Sequence, residues 1–383
     1  MRVGILTYHF SDNYGALFQA YALRKWFMDQ GCEASFINYH PDYVEAGGEI
    51  NFNKLISKSN LKVIYLKLAR LKNIWFGDRQ QQENFENFRR EFLGITGDEY
   101  KTRSDLEAAS LYYDILVCGS DQVWNPSEHF GVDPVYFLNF KTKNSNVRRI
   151  SYAPSFGRSE INPRYSDEIK ELLLSLDGIS IREMSGVSIV KQLTGTDPVC
   201  VPDPTVLLSD YSGIIKKYDV SANKHVFCYA LRSRNVIGDV AEAAAKHYGA
   251  ALYSPHNPHR RWKEIGETVY PCPRQWLYLL TRSEFVVTNS FHGTALSILL
   301  NKPFVVVGLQ GSRAGFNARA LNLLELVGLN SRFLDDSSPE KISKVLSDSI
   351  NWDEVNERIG ALRASGVTYL KEQLSRVLER ADG

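Results

Sequence analysis

The hydrophobic positions of the chain follow two alternating periods. Short unbroken apolar runs, among them Val3 to Leu6, Ile115 to Cys118, Phe285 to Val287 and Phe304 to Val307, have the length of strands buried on both faces. Between such runs the apolar residues step by three and four. Ala16, Ala20, Leu23 and Phe27 share one helical face, and Gly31 follows as a stop. An extended pattern resumes at Ala34 to Tyr39, so the opening of the chain predicts strand, helix, strand, the start of a parallel α/β sheet.

Residues 51–95 depart from this alternation. They are rich in Lys, Arg, Gln and Asn, with Trp75, Phe76, Phe85, Phe88 and Phe92 at helical intervals, and read as a helical insertion or lid. The alternation returns with strands expected at 115–118, 150–153, 179–181 and 199–201 and helices at 167–176 and 185–193, which completes one doubly wound sheet. The stretch "VPDPTVLLSDYSG", Val201 to Gly213, carries prolines and polar turn residues and is the expected crossing to a second domain. Beyond it, strands at 226–230, 250–253, 285–288 and 304–307 alternate with helices at 236–248, 274–281, 294–300 and 318–327. The expected domains are therefore 1–205, 206–350 and a terminal segment 351–383, whose amphipathic stretch Val355 to Leu378 has no strand after it and is free to pack back on the first domain. No sequence repeat relates the halves.

Length agrees with two cores, since 383 residues exceed what one core usually serves. Lys and Arg number 45 against 44 Asp and Glu, without the basic excess that binding a phosphate backbone requires, which excludes nucleic acid as the expected partner. No apolar run approaches the ~20 residues that span a bilayer. Polar residues follow Leu6 at once, so no secretory h-region is read, and the expectation is a cytoplasmic protein for which peripheral contact with the inner membrane face stays open. Cys32, Cys118, Cys200, Cys228 and Cys272 are far apart and form no CxxC pair; they read as reduced core thiols, and no metal cluster is expected.

Three polar breaks fall where a strand ends, the position at which parallel sheets bind ligands. In "TNSFHGT" (Thr288 to Thr294), Gly293 permits a sharp turn and Thr294 can cap a helix. The N–H groups from Ser290 through Phe291 to Thr294 can hold an anion while His292 donates a proton, or His292 merely fastens the turn. In "VCGSDQVWN", Gly119 and Ser120 form a second candidate anion nest, Asp121 is either a functional carboxylate or a helix cap, and Trp124 offers a plate for a sugar ring, with Gln122 and Asn125 beside it. "TYHFSDNYGA" contributes Asn13, Tyr14, Gly15 and, one turn on, Gln19, a neutral set suited to hydroxyl groups or to bending the chain. Arg182, ending the strand in "ISIREMSG", needs an anion, either a carboxylate such as Glu183 or a ligand. Arg313 and Arg319 add positive charge after another strand end. No GxGxxG after the first strand, GxxxxGK[ST], HExxH or GxSxG is present, which disfavours dinucleotide, P-loop and zincin chemistry.

The ordered series "GILTYHFSDNYGALFQAYAL", "DILVCGSDQVWN", "SYAPSFG", "SIREMSG", "PDPTVLL" and "VVTNSFHGTALSILLNKPFVVV" resembles the polysaccharide pyruvyl transferase family, from Gly4 to about Leu329. The resemblance implies an α/β fold of two Rossmann-like domains facing across a cleft, GT-B-like. The implied activity moves a pyruvyl group from phosphoenolpyruvate to two hydroxyls of a sugar or lipid-linked precursor, forming a cyclic ketal and needing no cofactor. His292 is then the expected acid and Arg182 a donor-binding group, with the "DNYGA" loop facing the acceptor. A nucleotide-sugar glycosyltransferase on the same architecture and a non-catalytic carbohydrate-binding subunit are the rival readings.

Overall fold

The computed structural model describes residues 1–46, 64, 78–126, 130–220, 224–231, 235–257 and 264–382. They divide into two compact units, the first comprising Met1–Leu207 with Ala364–Gly383 and the second Leu208–Arg363. Trp75, Phe76 and most of the expected insertion lie outside the described residues.

The first unit is built on parallel strands β1 (Arg2–Leu6), β2 (Glu33–Phe36), β3 (Ile115–Cys118) and β4 (Arg148–Ser151), in the order β2-β1-β3-β4. The expected strands at 179–181 and 199–201 form a separate pair, β5 (Ser180–Ile181) with β6 (Val199–Cys200), joined to the main sheet through a single bridge between Ile150 and Gly178. The reversal of strand order falls between β1 and β3, which run side by side with Leu6 opposite Cys118. The loops that follow these two strands therefore leave the sheet together, at the switch point where open α/β sheets take ligands.

Helix Tyr14–Asp29 begins two residues before the first apolar position of its stripe, because Asn13 caps it by accepting from the Ala16 N–H at 3.2 Å. Its opening turns are buried on every side. Helix Arg79–Phe88 and the π-helical turn Arg89–Leu93 supply the cover, with Phe88 edge-on to Phe18 at 6.0 Å and Phe85 at 5.0 Å from Tyr14.

The second unit holds parallel strands β7 (His225–Tyr229), β8 (Ala251–Pro255), β9 (Glu267–Val269), β10 (Phe285–Thr288), β11 (Phe304–Val307) and β12 (Phe333–Leu334) in the order β12-β11-β10-β7-β8-β9. Its switch point lies between β7 and β10, where Thr288 pairs with Tyr229. β9 and β12 escape the sequence pattern because they are three and two residues long. The core under the helices gathers Val226, Val240, Val287 and Val305, all fully buried.

Helix Trp352–Asp382 crosses from the second unit to the first along its length. Within the first unit, Tyr369 donates its hydroxyl to the Ser151 carbonyl at 3.0 Å, and the Gln373 side-chain oxygen accepts from the buried Arg148 guanidinium at 2.7 and 3.2 Å. Replacing that acceptor by an apolar group removes the side-chain oxygen that meets the buried cation, leaving it to Asp177, whose carbonyl accepts from Nη2 at 3.2 Å. Gln373→Leu is expected to cost about 1–3 kcal/mol, measured as a lower urea midpoint with an unchanged m-value.

Candidate active site

At the switch point of the first unit, polar side chains close the gap between two strand ends. Thr7, just past β1, donates its hydroxyl to the Ser120 carbonyl at 3.0 Å. Gln19 donates to Thr7 Oγ1 at 3.0 Å and accepts from the Ser120 N–H at 3.1 Å. Gly119 carries φ +137°, and a Cβ there would collide with the Tyr152 carbonyl, so glycine alone lets β3 pass this close to the end of β4.

Around this gap lies an ionic cluster. Arg182, just past β5, sets its Nη1 2.9 Å from Asp203 Oδ2, its Nε 3.6 Å from Glu183 Oε2 and its Nη2 3.8 Å from Asp121 Oδ1. Burial alone would lower this guanidinium, and the three carboxylates hold it above its ordinary value instead. Asp203 is fixed by Thr205, whose N–H and hydroxyl donate to Oδ1 at 3.0 and 2.8 Å. Glu183 accepts from Ser155 Oγ at 2.6 Å. Asp121 accepts the Gln122 N–H at 2.9 Å and keeps a fifth of its side chain in solvent.

In the second unit, β10 leads directly into helix Phe291–Leu299. Thr288 donates its hydroxyl to the Tyr229 carbonyl at 2.6 Å and accepts from the Ser290 N–H at 3.0 Å, which ties the end of β10 to β7. A Cβ at Gly293 would meet Thr288 and come 3.0 Å from the Tyr229 ring, so the glycine allows the helix to start flush against the sheet. Ser290 caps the helix by accepting from the Gly293 N–H at 3.3 Å. Phe291 and His292 occupy the first two helical positions, whose N–H groups point out of the helix end. The His292 ring is 7% exposed and meets Phe291 edge-on at 5.2 Å, while the Arg319 guanidinium stands 5.8 Å from the Phe291 ring centre.

Several expected roles are corrected by this geometry. No helix follows β3 directly, so Asp121 is not a helix cap. The Gly119–Ser120 nest is spent within the fold, since the Gly119 N–H donates to the Leu6 carbonyl at 3.0 Å and Ser120 Oγ to the Ala153 carbonyl at 2.7 Å. Trp124 is no sugar plate: it is buried, stacked on Phe137 at 4.9 Å, with its indole N–H on the Tyr136 carbonyl. Gln19 is fully buried between the strand ends, and Tyr14 and Gly15 are buried in the covered helix, which leaves Asn13 as a cap. Thr294 does not cap its helix; its hydroxyl donates back to the Ser290 carbonyl at 2.9 Å. Gln122 and Asn125 are half-buried and bonded to each other at 3.3 Å. Arg313 lies in the 3-10 turn Gly311–Asn317.

The sequence pattern that defines the polysaccharide pyruvyl transferases matches residues 13–311, most of the chain and all three loops after β3, β5 and β10. The chain belongs to that family. No curated protein matches the sequence. Among solved structures, a putative UDP-N-acetylglucosamine 2-epimerase from Listeria monocytogenes is similar with TM-score 0.50 and 11% identity, over 94% of this chain and 90% of that one. The UDP-GlcNAc 2-epimerase from Methanocaldococcus jannaschii gives TM-score 0.46 and 10% identity, over 92% and 93%. The Listeria likeness bears on the fold, two Rossmann-like domains of the GT-B-like kind. Among the described residues, no helix is long and apolar enough to cross a membrane.

Two variants check the corrected roles. Trp124→Ala is expected to lower stability by ~3–5 kcal/mol in a denaturant titration, the cost of emptying a packed aromatic site. His9, past β1, sets Nδ1 2.9 Å from the Thr7 carbonyl oxygen and Nε2 3.0 Å from Asn38 Oδ1, to one of which its neutral ring can donate, and burial pushes its imidazole down to about 4. Because it is neutral when folded and protonates near pH ~6.5 when unfolded, its contribution is present above that pH and is lost as pH falls toward 4. Parent protein is expected to lose about 2 kcal/mol more than His9→Gln between pH ~7 and pH ~4.5, read from paired urea midpoints.

Proposed function

We propose that the protein transfers the pyruvyl group of phosphoenolpyruvate to two hydroxyls of a saccharide, closing a cyclic ketal and releasing phosphate. The observation that carries this reading is His292 in the first turn of a helix at the switch point of the second unit, inside the matched family pattern. Ketal formation from an enol phosphate begins with a proton added to the methylene carbon, which a positioned imidazole can supply. The donor carries a phosphate and a carboxylate. A helix N-terminus with Arg319 over Phe291 favours such anions, so Ser290, Phe291, Gly293, Thr294 and Arg319 form the donor side of the proposal. The reaction is written without a further cofactor, and the saccharide is free or lipid-linked at a membrane face.

The direct test follows phosphate release when the protein is incubated with phosphoenolpyruvate and a panel of lipid-linked and free saccharides, with nucleotide sugars as the contrasting donor. Turnover of nucleotide sugars alone would overturn the reading. His292→Gln is expected to keep the fold and much of the donor affinity while losing ~10²-fold or more in single-turnover rate. A variant that melts early yet turns over at the parental rate would show that His292 only fastens its turn.

A further inference from the structure

The family resemblance gives Arg182 to the donor, but its guanidinium is 2% exposed and already faces three carboxylates of the protein. Those carboxylates are not equivalent. Asp203, fully buried, has Oδ1 occupied by Thr205 and Oδ2 by Arg182. Glu183 is 8% exposed and held by Ser155. Asp121 is 21% exposed, and its approach to Arg182, 3.8 Å, is longer than a hydrogen bond. It is the member of the cluster that reaches solvent.

The backbone at Asp121 is unusual as well. Its φ of 69° lies in the left-handed region, a conformation costing a residue with a Cβ of order 1 kcal/mol or more unless its surroundings enforce it. They do: the Ser155 N–H donates to the Asp121 carbonyl at 2.8 Å, and Asp121 forms a parallel bridge with Pro154. This strained, pinned residue stands just past β3 at the switch point with β1, the position where a parallel sheet presents side chains to a ligand. We propose that Asp121 is the base that takes the proton of the attacking saccharide hydroxyl, and that Arg182 is the residue that positions it. The proposal rests on the ketal-forming reaction above.

The proton balance is complete. The donor methylene takes up a proton from an acid as the first hydroxyl oxygen bonds to C2, and that hydroxyl's proton passes to Asp121. The second hydroxyl then bonds to C2 as the C2–O bond to phosphate breaks, and its proton leaves with the phosphate. One enol phosphate and one diol thus yield a ketal and hydrogen phosphate, with Asp121 returning its proton to solvent and the acid regaining one from it. The groups facing Asp121 are Arg182 and, behind the strand end, Tyr8, whose phenol burial and the charges of Asp121 and Asp133 hold far above its ordinary value. Glu183 and Asp203 face the other sides of the guanidinium.

Glycine tolerates the φ at this position, so Asp121→Gly removes the carboxylate without straining the loop. The expected result is a melting temperature at or above that of the parent, turnover lower by ~10²-fold or more, an unchanged KM for phosphoenolpyruvate, and partial recovery in added formate. Arg182→Gln is expected to leave that KM within about twofold while turnover falls, with Arg182→Lys restoring turnover. A raised KM for phosphoenolpyruvate with an unchanged kcat would return Arg182 to the donor. Should Arg182→Gln not fold, Asp121→Gly with formate decides. A parent that turns over while Asp121→Gly keeps pace overturns the base alone; a parent that releases no phosphate with any saccharide overturns the reaction and the base with it.

Discussion

A guanidinium taken out of water must be met by anions, and at Arg182 that requirement fixes how four strand ends of the first unit are arranged. Asp121 comes from the loop after β3, Glu183 follows Arg182 itself, and Asp203 comes from the segment after β6. The loop after β4 joins through Pro154, whose carbonyl accepts the Arg182 N–H at 3.3 Å, and through Ser155, which holds Glu183. Removing the cation would leave buried carboxylates uncompensated, so the strand-end loops depend on one another rather than on local turn chemistry. Rigid loops at a sheet's C-terminal edge are what a reaction between two substrates needs, because misplacement by about 1 Å can cost ~10²-fold in rate.

The two units reach the same end by different means. In the first, the switch point is filled by Thr7, Gln19 and Ser120, with the partly exposed Asp121 carboxylate beside it. In the second, Thr288 and Ser290 spend their hydroxyls on the strand ends and the helix cap.

The periodicity of the chain made most of the architecture legible. Each long apolar run became a strand and each stepped stripe a helix; the misses were the short strands β9 and β12 and the helices Arg103–Ala108 and Pro339–Ser347. The positions of the polar breaks were legible too, since strand ends follow from strands. What occupies those breaks was not. Trp124 and Gln19 look like ligand contacts in sequence, and only three-dimensional packing shows that Phe137 and Thr7 already claim them. Asp203 carries the reverse lesson: an aspartate between two prolines reads as turn chemistry, yet its true partner lies 21 positions earlier. Burial of a cation by residues distant in sequence leaves no periodic trace.

The first unit is discontinuous along the chain: residues 1–207 are completed by residues 364–383, with the whole of the second unit written between them. A chain emerging from the ribosome therefore makes the first sheet well before the helical segment whose Tyr369 and Gln373 bond the Ser151 carbonyl and the Arg148 guanidinium at its β4 strand. For that interval Arg148 can keep the Asp177 carbonyl, which accepts from Nη2 at 3.2 Å, but lacks Gln373. The second unit is contiguous, so all of its residues are made before the segment that completes the first.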